Sequence, residues 1–210
     1  MFEWLRRAKP RLQRTSELLL PMQQYAQEFM AASAWTAEQG LFVPPVQIVA
    51  NKDCVDWTLA EPALQSLLGA YREDELAKEL FAMNCRLLPH LCAAINVPLR
   101  ITLGWFEHDG KSRYVHDHAL LERLLKKDPT VDTSRGLPLH VWFTSPAFEI
   151  IDIALPTIMS RNGGRRELAG GILYLSNQST EPAVIYHPTV VGEDFLYRIG
   201  AVFGIGPREQ

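Results

Sequence analysis

The side chains best suited to chemistry in this sequence are a thiol, an imidazole and a carboxylate: Cys85, His140 and Asp152, in that order along the chain. A thiolate attacks a carbonyl carbon, an imidazole carries the proton, and a carboxylate holds the imidazole in the required tautomer. These three residue types together are typical of acyl transfer at an amide bond. Their chemistry depends on the elements that position them.

A β-hairpin is predicted to position the imidazole and the carboxylate. Apolar runs flank residues 145–147, and a three-residue loop there would pair Thr144 with Phe148 and His140 with Asp152. Directly opposed residues have Cβ atoms about 4.5–5.5 Å apart. The carboxylate could then orient the imidazole and favour its charged form. A loop of two or four residues would put the two side chains on opposite faces.

A proline predicts where the helix that carries the thiol begins. Proline is disfavoured inside a helix and tolerated in its first turn, so Pro89 favours a helix that starts near Cys85, with Asn84 as its N-cap, and ends at Asn96. A helix N-terminus lowers the pKa of a thiol, and the neighbouring Arg86 has the same sign of effect. Cys85 is therefore the predicted nucleophile.

Other interpretations of these residues stay open. Cys54 is a rival nucleophile that could also open a helix, although Asp53 and Asp56 beside it would raise the pKa of its thiol. Cys92 lies about two helical turns after Cys85 and is expected in the core. None of the three thiols need be reactive, and the His140 and Asp152 pair could be a structural hydrogen bond.

A metal site is the weakest of the chemical hypotheses. Imidazoles at His108, His116 and His118 could in principle bind a divalent ion, and such an enzyme would lose activity with a chelator. Adjacent side chains alternate faces in a strand, however, and Asp117 is better explained as a helix cap. We therefore predict no metal and no cofactor.

The remaining pattern predicts helices first and then a mainly antiparallel sheet, which is an α+β architecture. Helices are expected at about 1–40, 58–69, 73–83, 84–96 and 117–125. Strands are expected at about 46–49, 99–106, 111–115, 139–144, 148–153, 172–175 and 183–186, and Asp109-Gly110 is a hairpin turn signal. We divide the chain into an N-terminal helical extension, 1–40, and a single α+β domain, 41–210.

Composition limits the classes of partner. The chain has 210 residues, is 47% hydrophobic, and carries 21 basic and 24 acidic residues for a net charge of −3. A net negative charge argues against nonspecific nucleic-acid binding. No apolar run approaches the roughly 20 residues of a membrane span, so no integral membrane association is expected. Three cysteines without paired spacing indicate reduced thiols in the cytoplasm.

The residues from Cys85 to Trp105 resemble the papain-like and transglutaminase-like superfamily of cysteine enzymes. In that pattern a nucleophilic cysteine opens a helix, which leads through a Gly-Ile-Pro-Ala-Arg-like turn into a strand that ends in Gly-Tyr or Gly-Trp. The later His140-Val-Trp142 and Glu149-Ile-Ile-Asp152 are similar to the family's His-Ala-Trp-Val and Val-Ile-Asp-Pro-Thr hairpin. The resemblance covers about Cys85 to Thr157.

This resemblance implies a papain-like, transglutaminase-like core and a thiol-dependent enzyme that cleaves or transfers an acyl group at an amide bond. Its substrate would be a peptide, a protein or another amide, and Cys85, His140 and Asp152 would form the triad. Trp105 and Trp142 would wall the cleft and exclude water. Since fold does not establish activity, the alternative is a noncatalytic protein of the same fold that binds a protein partner. Its contact surfaces would be the basic N-terminal helices and the 195–203 tail.

Overall fold

A computed structural model describes residues 20–45, 48–49, 52–69, 79–134, 136–163, 168, 170–179 and 182–203. Within these ranges the helices are α1 (Leu20–Glu38), α2 (Trp57–Leu68), α3 (Leu80–Ile95), α4 (His118–Leu125), α5 (Leu155–Gly163) and α6 (Asp194–Arg198). The strands are β1 (Arg100–His108), β2 (Lys111–Arg113), β3 (His140–Thr144), β4 (Ile150–Asp152), β5 (Leu173–Leu175) and β6 (Val184–Val191). None of these helices is long and apolar enough to cross a bilayer.

The six strands form one antiparallel sheet built around β1. The first half of β1 pairs with β3 and its last residues pair with β2, while β6 pairs with it over most of its length. Strand β3 continues through β4 to β5. The predicted α+β class with a mainly antiparallel sheet is therefore confirmed.

Two hydrophobic clusters lie on the two faces of this sheet. Because side chains alternate along a strand, Val141 and Phe143 of β3 enter one cluster and Trp142 enters the other. We call the cluster that contains Val141 and Phe143 the α3 cluster, because it also contains Leu87 and Leu91 of α3. We call the cluster that contains Trp142 the α1 cluster, because helix α1 contributes to it together with residues of β1 and β6.

Helix α1 belongs to the core of the sheet. Its side chains Tyr25, Phe29 and Ala32 are buried in the α1 cluster, and Thr36 accepts a hydrogen bond from the N–H of Val191 at 3.1 Å. The division expected at residue 40 therefore runs between elements that share one hydrophobic cluster.

A close approach of backbones requires glycine in β1. The pairing of β1 with β6 shifts register between Leu103 and Gly104. A Cβ atom at Gly104 would lie 2.0 Å from the carbonyl oxygen of His187 and 2.9 Å from the ring of Trp142. Only glycine allows the strands and the indole to pack this closely at the centre of the sheet.

Several predicted elements are found as expected. Asp109 and Gly110 both have positive φ and connect His108 to Lys111, so they form the predicted hairpin turn. Asp117 caps α4 by accepting a hydrogen bond from the N–H of Leu120 at 2.8 Å. Short polar side chains and positive-φ turns are local signals, which explains why these predictions hold.

Other boundaries need correction. Helix α2 begins at Trp57, one residue before the expected start, because Asp56 caps it by accepting from the N–H of Thr58. Strand β6 does not end near Tyr186 but continues through Pro188, beside the register shift. Residues 48–49 are not in a strand, and the rest of the strand expected there, like most of the helix expected at 73–83, lies outside the described residues.

Candidate functional site

The imidazole of His140 and the carboxylate of Asp152 form a buried pair. Nε2 of His140 lies 2.6 Å from Oδ2 of Asp152, and the two side chains are 1% and 0% exposed. Strand pairing sets Thr144 opposite Ile150, two residues away from the predicted register. Because side chains alternate with a period of two, a shift of two leaves His140 and Asp152 on one face. They meet diagonally instead of directly across.

The loop between β3 and β4 is longer than predicted because Ser145 organises it. The Ser145 hydroxyl oxygen accepts hydrogen bonds from the N–H groups of Ala147 and Glu149, and the Ser145 carbonyl accepts from Phe148. Phe148 has a φ of 64°. Phe148 and Glu149 therefore belong to the turn and not to the strand, which makes the loop five residues long.

Asp152 is the centre of a fully satisfied hydrogen-bond network. Its Oδ2 also accepts from the hydroxyl of Tyr186 at 2.6 Å, and its Oδ1 accepts from the N–H groups of Ala154 and Leu155 at 2.8 Å each. Burial alone would raise the pKa of this carboxyl. The charge and hydrogen bond of His140, with the other donors, outweigh burial and hold the pKa of Asp152 below its ordinary value.

Aromatic rings enclose the imidazole. The ring centroid of His140 lies 4.8 Å from that of Phe106 and 5.7 Å from that of Tyr114, with Trp142 and Tyr186 at 5.9 and 6.2 Å. These rings belong to the α1 face of the sheet. They shield the pair from solvent, which strengthens its electrostatic interaction.

Helix α1 is hydrogen-bonded to buried polar side chains of the sheet near the His140 and Asp152 pair. The indole Nε1 of Trp142 donates to the hydroxyl of Tyr25 at 2.8 Å, and that hydroxyl lies 2.6 Å from Oγ1 of Thr144. Thr144 in turn lies 2.7 Å from Oγ1 of Thr102. Burial raises the pKa of Tyr25 despite these bonds, so the phenol remains neutral. Trp142 is therefore buried, with its indole N–H bonded to Tyr25 of α1.

The structure does not bring Cys85 to this pair. Cys85 packs against the α3 cluster, whereas the rings around His140 belong to the α1 cluster on the other face. Among the described residues, no hydrogen bond joins Cys85 to His140 or Asp152. Burial, with a contribution from Glu193, raises the pKa of the Cys85 thiol to about 12, and Arg86 opposes this only in part.

The prediction that Cys85 opens a helix is wrong. Helix α3 begins at Leu80, so Cys85 lies in its second turn and Pro89 is inside the helix. Pro89 lies on the exposed side, while the opposite side buries residues such as Leu87 and Leu91. Burial of a leucine side chain contributes about 1.5–3 kcal/mol, so two offset the roughly 3 kcal/mol cost of an interior proline. The expected N-cap, Asn84, is buried and donates to the carbonyl of Leu80.

The other two thiols have structural partners. Cys54 donates from Sγ to Oε2 of Glu149 at 3.0 Å, and burial together with this carboxylate raises the pKa of its thiol. Cys92 accepts from the N–H of Leu99 at 3.3 Å, and burial raises the pKa of its thiol as well. All three cysteines therefore favour the protonated form.

The residue that sequence reasoning missed is Glu149. Its buried carboxylate accepts from the N–H and Sγ of Cys54, from the N–H of Val55, and from the hydroxyls of Ser145 and Tyr174. This cluster joins the segment before α2 to the β3–β4 loop and to β5. We call it the Glu149 clasp. No local signal could have identified it, because Cys54 and Val55 lie 95 and 94 residues away in sequence.

The two expected cleft tryptophans do not line one surface. Trp142 is paired with Thr102 and lies on the same face of the sheet as Gly104, where a Cβ atom would contact the indole. Trp105 follows Gly104 in β1, so its side chain points to the opposite face. It stacks on His187 with ring centroids 3.8 Å apart.

The histidines considered for a metal site have other partners, and Nδ1 of His108 lies 3.5 Å from Oδ2 of Asp109. His116 lies 2.8 Å from the carbonyl of Tyr114 and 2.9 Å from Oγ1 of Thr189 through its two ring nitrogens. His118 stacks on Trp35 with centroids 4.8 Å apart. Within the described ranges, no group of three His, Cys, Asp or Glu side chains is placed to hold a metal ion.

Comparison of this chain with protein families, with curated proteins and with solved structures finds no match. The resemblance to papain-like and transglutaminase-like enzymes rests on the residues from Cys85 to Thr157 alone. The geometry of the site must therefore carry any statement about function.

Proposed function

We propose that this chain is a noncatalytic protein with a papain-like, transglutaminase-like core that acts by binding a protein partner. The observation that supports this most strongly is the separation of Cys85 from His140, which pack in clusters on opposite faces of the sheet. A nucleophile and its base must come within about 2.6–3.2 Å of each other. A β-sheet between them prevents that contact without a large rearrangement of the core.

In this proposal the His140 and Asp152 pair is part of the scaffold. Asp152 links β3 through His140, β6 through Tyr186, and the start of α5 through the N–H of Leu155. A buried carboxylate with all of these donors rigidifies the elements that supply them. The hairpin motif of the resemblance is thereby accounted for without a reacting thiol.

Three exposed apolar residues between α1 and α2 offer a surface for a partner. Phe42, Ile48 and Val49 are apolar and 42–52% exposed. The backbone of two of them is anchored, since Phe42 donates its N–H to Asp194 and Val49 donates its N–H to the carbonyl of Pro146, both at 2.9 Å. An ordered backbone loses little entropy on association, and aromatic side chains such as Phe42 are frequent anchors of interfaces.

The contact surfaces expected from sequence contribute less to this proposal. In the 195–203 tail, Phe195, Leu196 and Val202 are buried in the α3 cluster, and Phe203 is its exposed large apolar side chain, at 93%. The basic residues before α1 lie outside the described residues. The exposed side chains of Phe42, Ile48 and Val49 are therefore the better-supported contact surface.

Thiol reactivity tests the noncatalytic part of the proposal. We expect iodoacetamide to alkylate each cysteine no faster than a free thiol between about pH 5 and 9, because burial raises all three pKa values. Mass spectrometry locates the modified residue. His140→Ala should leave the rate at Cys85 unchanged, and His90→Ala on the same helix is the control. Rapid alkylation of Cys85 that His140→Ala slows would overturn the proposal and restore the enzyme interpretation.

Photo-crosslinking tests the binding part. A benzoylphenylalanine residue in place of Phe42, in the full chain produced in cells, should form one discrete protein adduct that excess unlabelled protein suppresses. The same residue in place of Val115, which is also exposed but lies between β2 and α4, is the control. Equal patterns of adducts at the two positions would contradict a specific partner at Phe42.

A further inference from the structure

A cleft of about 410 Å³ opens where the C-terminal ends of α1, α4 and α6 meet. Leu41 and Leu125 supply its apolar lining, and Lys126, Lys127 and Arg198 supply positive charge. We call it the basic cleft. Its volume falls within the roughly 300–1,000 Å³ that ligand sites of proteins occupy.

The charge of the basic cleft is opposite to that of the whole chain. Three cations face one lining acid, Glu122, while the chain as a whole has a net charge of −3. Lys126 lies 3.7 Å from Glu122, and Arg198 lies 3.6 Å from Asp194 on its own helix. Lys127 forms no ion pair with any residue that the structure describes. With Asp194 counted, one positive charge, that of Lys127, is in surplus and available to a ligand.

Lys127 occupies a backbone position that favours glycine. It follows α4 with a φ of 52°, its N–H donates to the carbonyl of Leu124, and the N–H of Asp128 donates to that of Arg123. This is the Schellman ending of a helix, in which the left-handed residue is usually Gly. A lysine there costs folding free energy that a glycine would not. Local strain of this kind favours a role for the side chain.

We propose that the basic cleft binds an acidic segment of the protein partner, with carboxylates against Lys126, Lys127 and Arg198 and an apolar side chain on Leu41 and Leu125. This inference rests on the proposed function and names the chemistry of that partner. The cleft adjoins the other contact surface, because Leu41 precedes the exposed Phe42 in sequence. One bound segment could therefore contact both.

A peptide carboxylate fits the cleft better than a compact phosphate does. Three helices end here, and their C-terminal carbonyls carry partial negative charge that opposes an anion close to the backbone. Lys126, Lys127 and Arg198 are exposed, so their charged groups can meet carboxylates at a distance from those carbonyls. The apolar lining suits a segment that carries hydrophobic as well as acidic side chains.

Fluorescence anisotropy tests this inference on the full chain. The probe is a short fluorescein-labelled peptide that alternates Glu and Leu, and its partner probe has Gln in place of Glu. We expect the Glu peptide to bind more tightly and its affinity to fall as salt is added. Lys126→Gln and Lys127→Gly should each weaken binding about two- to five-fold, the range of one exposed ion pair.

The variants are chosen so that loss of folding cannot explain the result. Lys127→Gly removes the charge while relieving the left-handed backbone, and Lys111→Gln removes an exposed charge on β2 as the control. Equal binding of the Glu and Gln peptides, or unchanged binding by Lys127→Gly, would overturn the inference. So would competition by inorganic phosphate at matched ionic strength, which would indicate a small-anion site.

The two proposals fail in different ways. If the thiols react slowly and the Glu peptide does not bind, the basic cleft is refuted and the noncatalytic proposal stands. If Cys85 reacts rapidly, the noncatalytic proposal is refuted whatever the peptide does.

Discussion

Replacing Asp152 by Asn should destabilise the protein by about 3 kcal/mol. The substituted side chain keeps an oxygen that can accept from the N–H groups of Ala154 and Leu155, but its NH₂ group then faces His140 Nε2 and the hydroxyl of Tyr186. A hydrogen bond to a charged group contributes about 1.5–3 kcal/mol. Losing two such bonds costs about 3–6 kcal/mol, and removing a buried charge returns part of that.

Urea unfolding followed by circular dichroism measures this change. With a slope of about 2 kcal/mol/M, the midpoint should fall by about 1–2 M urea. Asp132→Asn is the matched control, because Asp132 is an exposed carboxylate that accepts from the N–H of Ser134. Its effect should stay within about 0.5 kcal/mol. A loss below about 1 kcal/mol for Asp152→Asn would refute the view that this network supports the fold.

The stability of the wild type and of Asp152→Asn should also differ in its dependence on pH, with a known sign. The pKa of Asp152 in the folded state lies below its ordinary value of 3.8, so its carboxylate stabilises the folded state. That contribution is fully present above about pH 4 and is lost as the pH falls through the folded-state pKa. The stability difference between the wild type and Asp152→Asn should therefore shrink below pH 3.8. A difference that grew on acidification would contradict the assigned direction.

Three further substitutions, the first with a matched control, test other parts of the structure by the same unfolding assay. Gly104→Ala should lower the free energy of unfolding by about 3 kcal/mol or more, because its Cβ would meet the carbonyl of His187. The control is Gly110→Ala, which has open space around it and should cost about 1 kcal/mol. Equal losses of stability would contradict the close approach at Gly104. Lys127→Gly should stabilise the protein by about 1 kcal/mol by relieving a positive φ, and a loss would contradict the strain. Glu149→Gln should lower stability by about 2–3 kcal/mol and speed alkylation of Cys54, and unchanged alkylation would argue against the Glu149 clasp.

The His140 and Asp152 pair was predictable although the register was not. Alternation along strands confines the two side chains to one face under any shift of two residues, so the error in loop length did not separate them. The loop length itself depended on Ser145, whose hydroxyl accepts from two N–H groups of the turn. A serine at that point is compatible with a shorter loop, and only the folded hairpin distinguishes the two.

The position of Cys85 could not be predicted from local rules. A proline is a local signal for a helix start, but α3 is held by the burial of Met83, Leu87 and Leu91 against the sheet. Tertiary burial outweighs local preference in this helix. The Glu149 clasp fails for a different reason, because its donors come from segments far apart in sequence that meet only after folding.

A His and Asp pair does not by itself indicate catalysis, and its surroundings in this chain favour a structural role. A catalytic imidazole needs one nitrogen for the carboxylate and access to substrate at the other. His140 is 2% exposed and enclosed by aromatic rings. Asp152, which holds it, also accepts hydrogen bonds from the N–H of Leu155 at the start of α5 and from the hydroxyl of Tyr186 in β6. A pair that served only to orient an imidazole would not need these additional bonds. They connect three elements across the sheet, which is the arrangement expected when the pair stabilises a scaffold and the binding surfaces lie elsewhere.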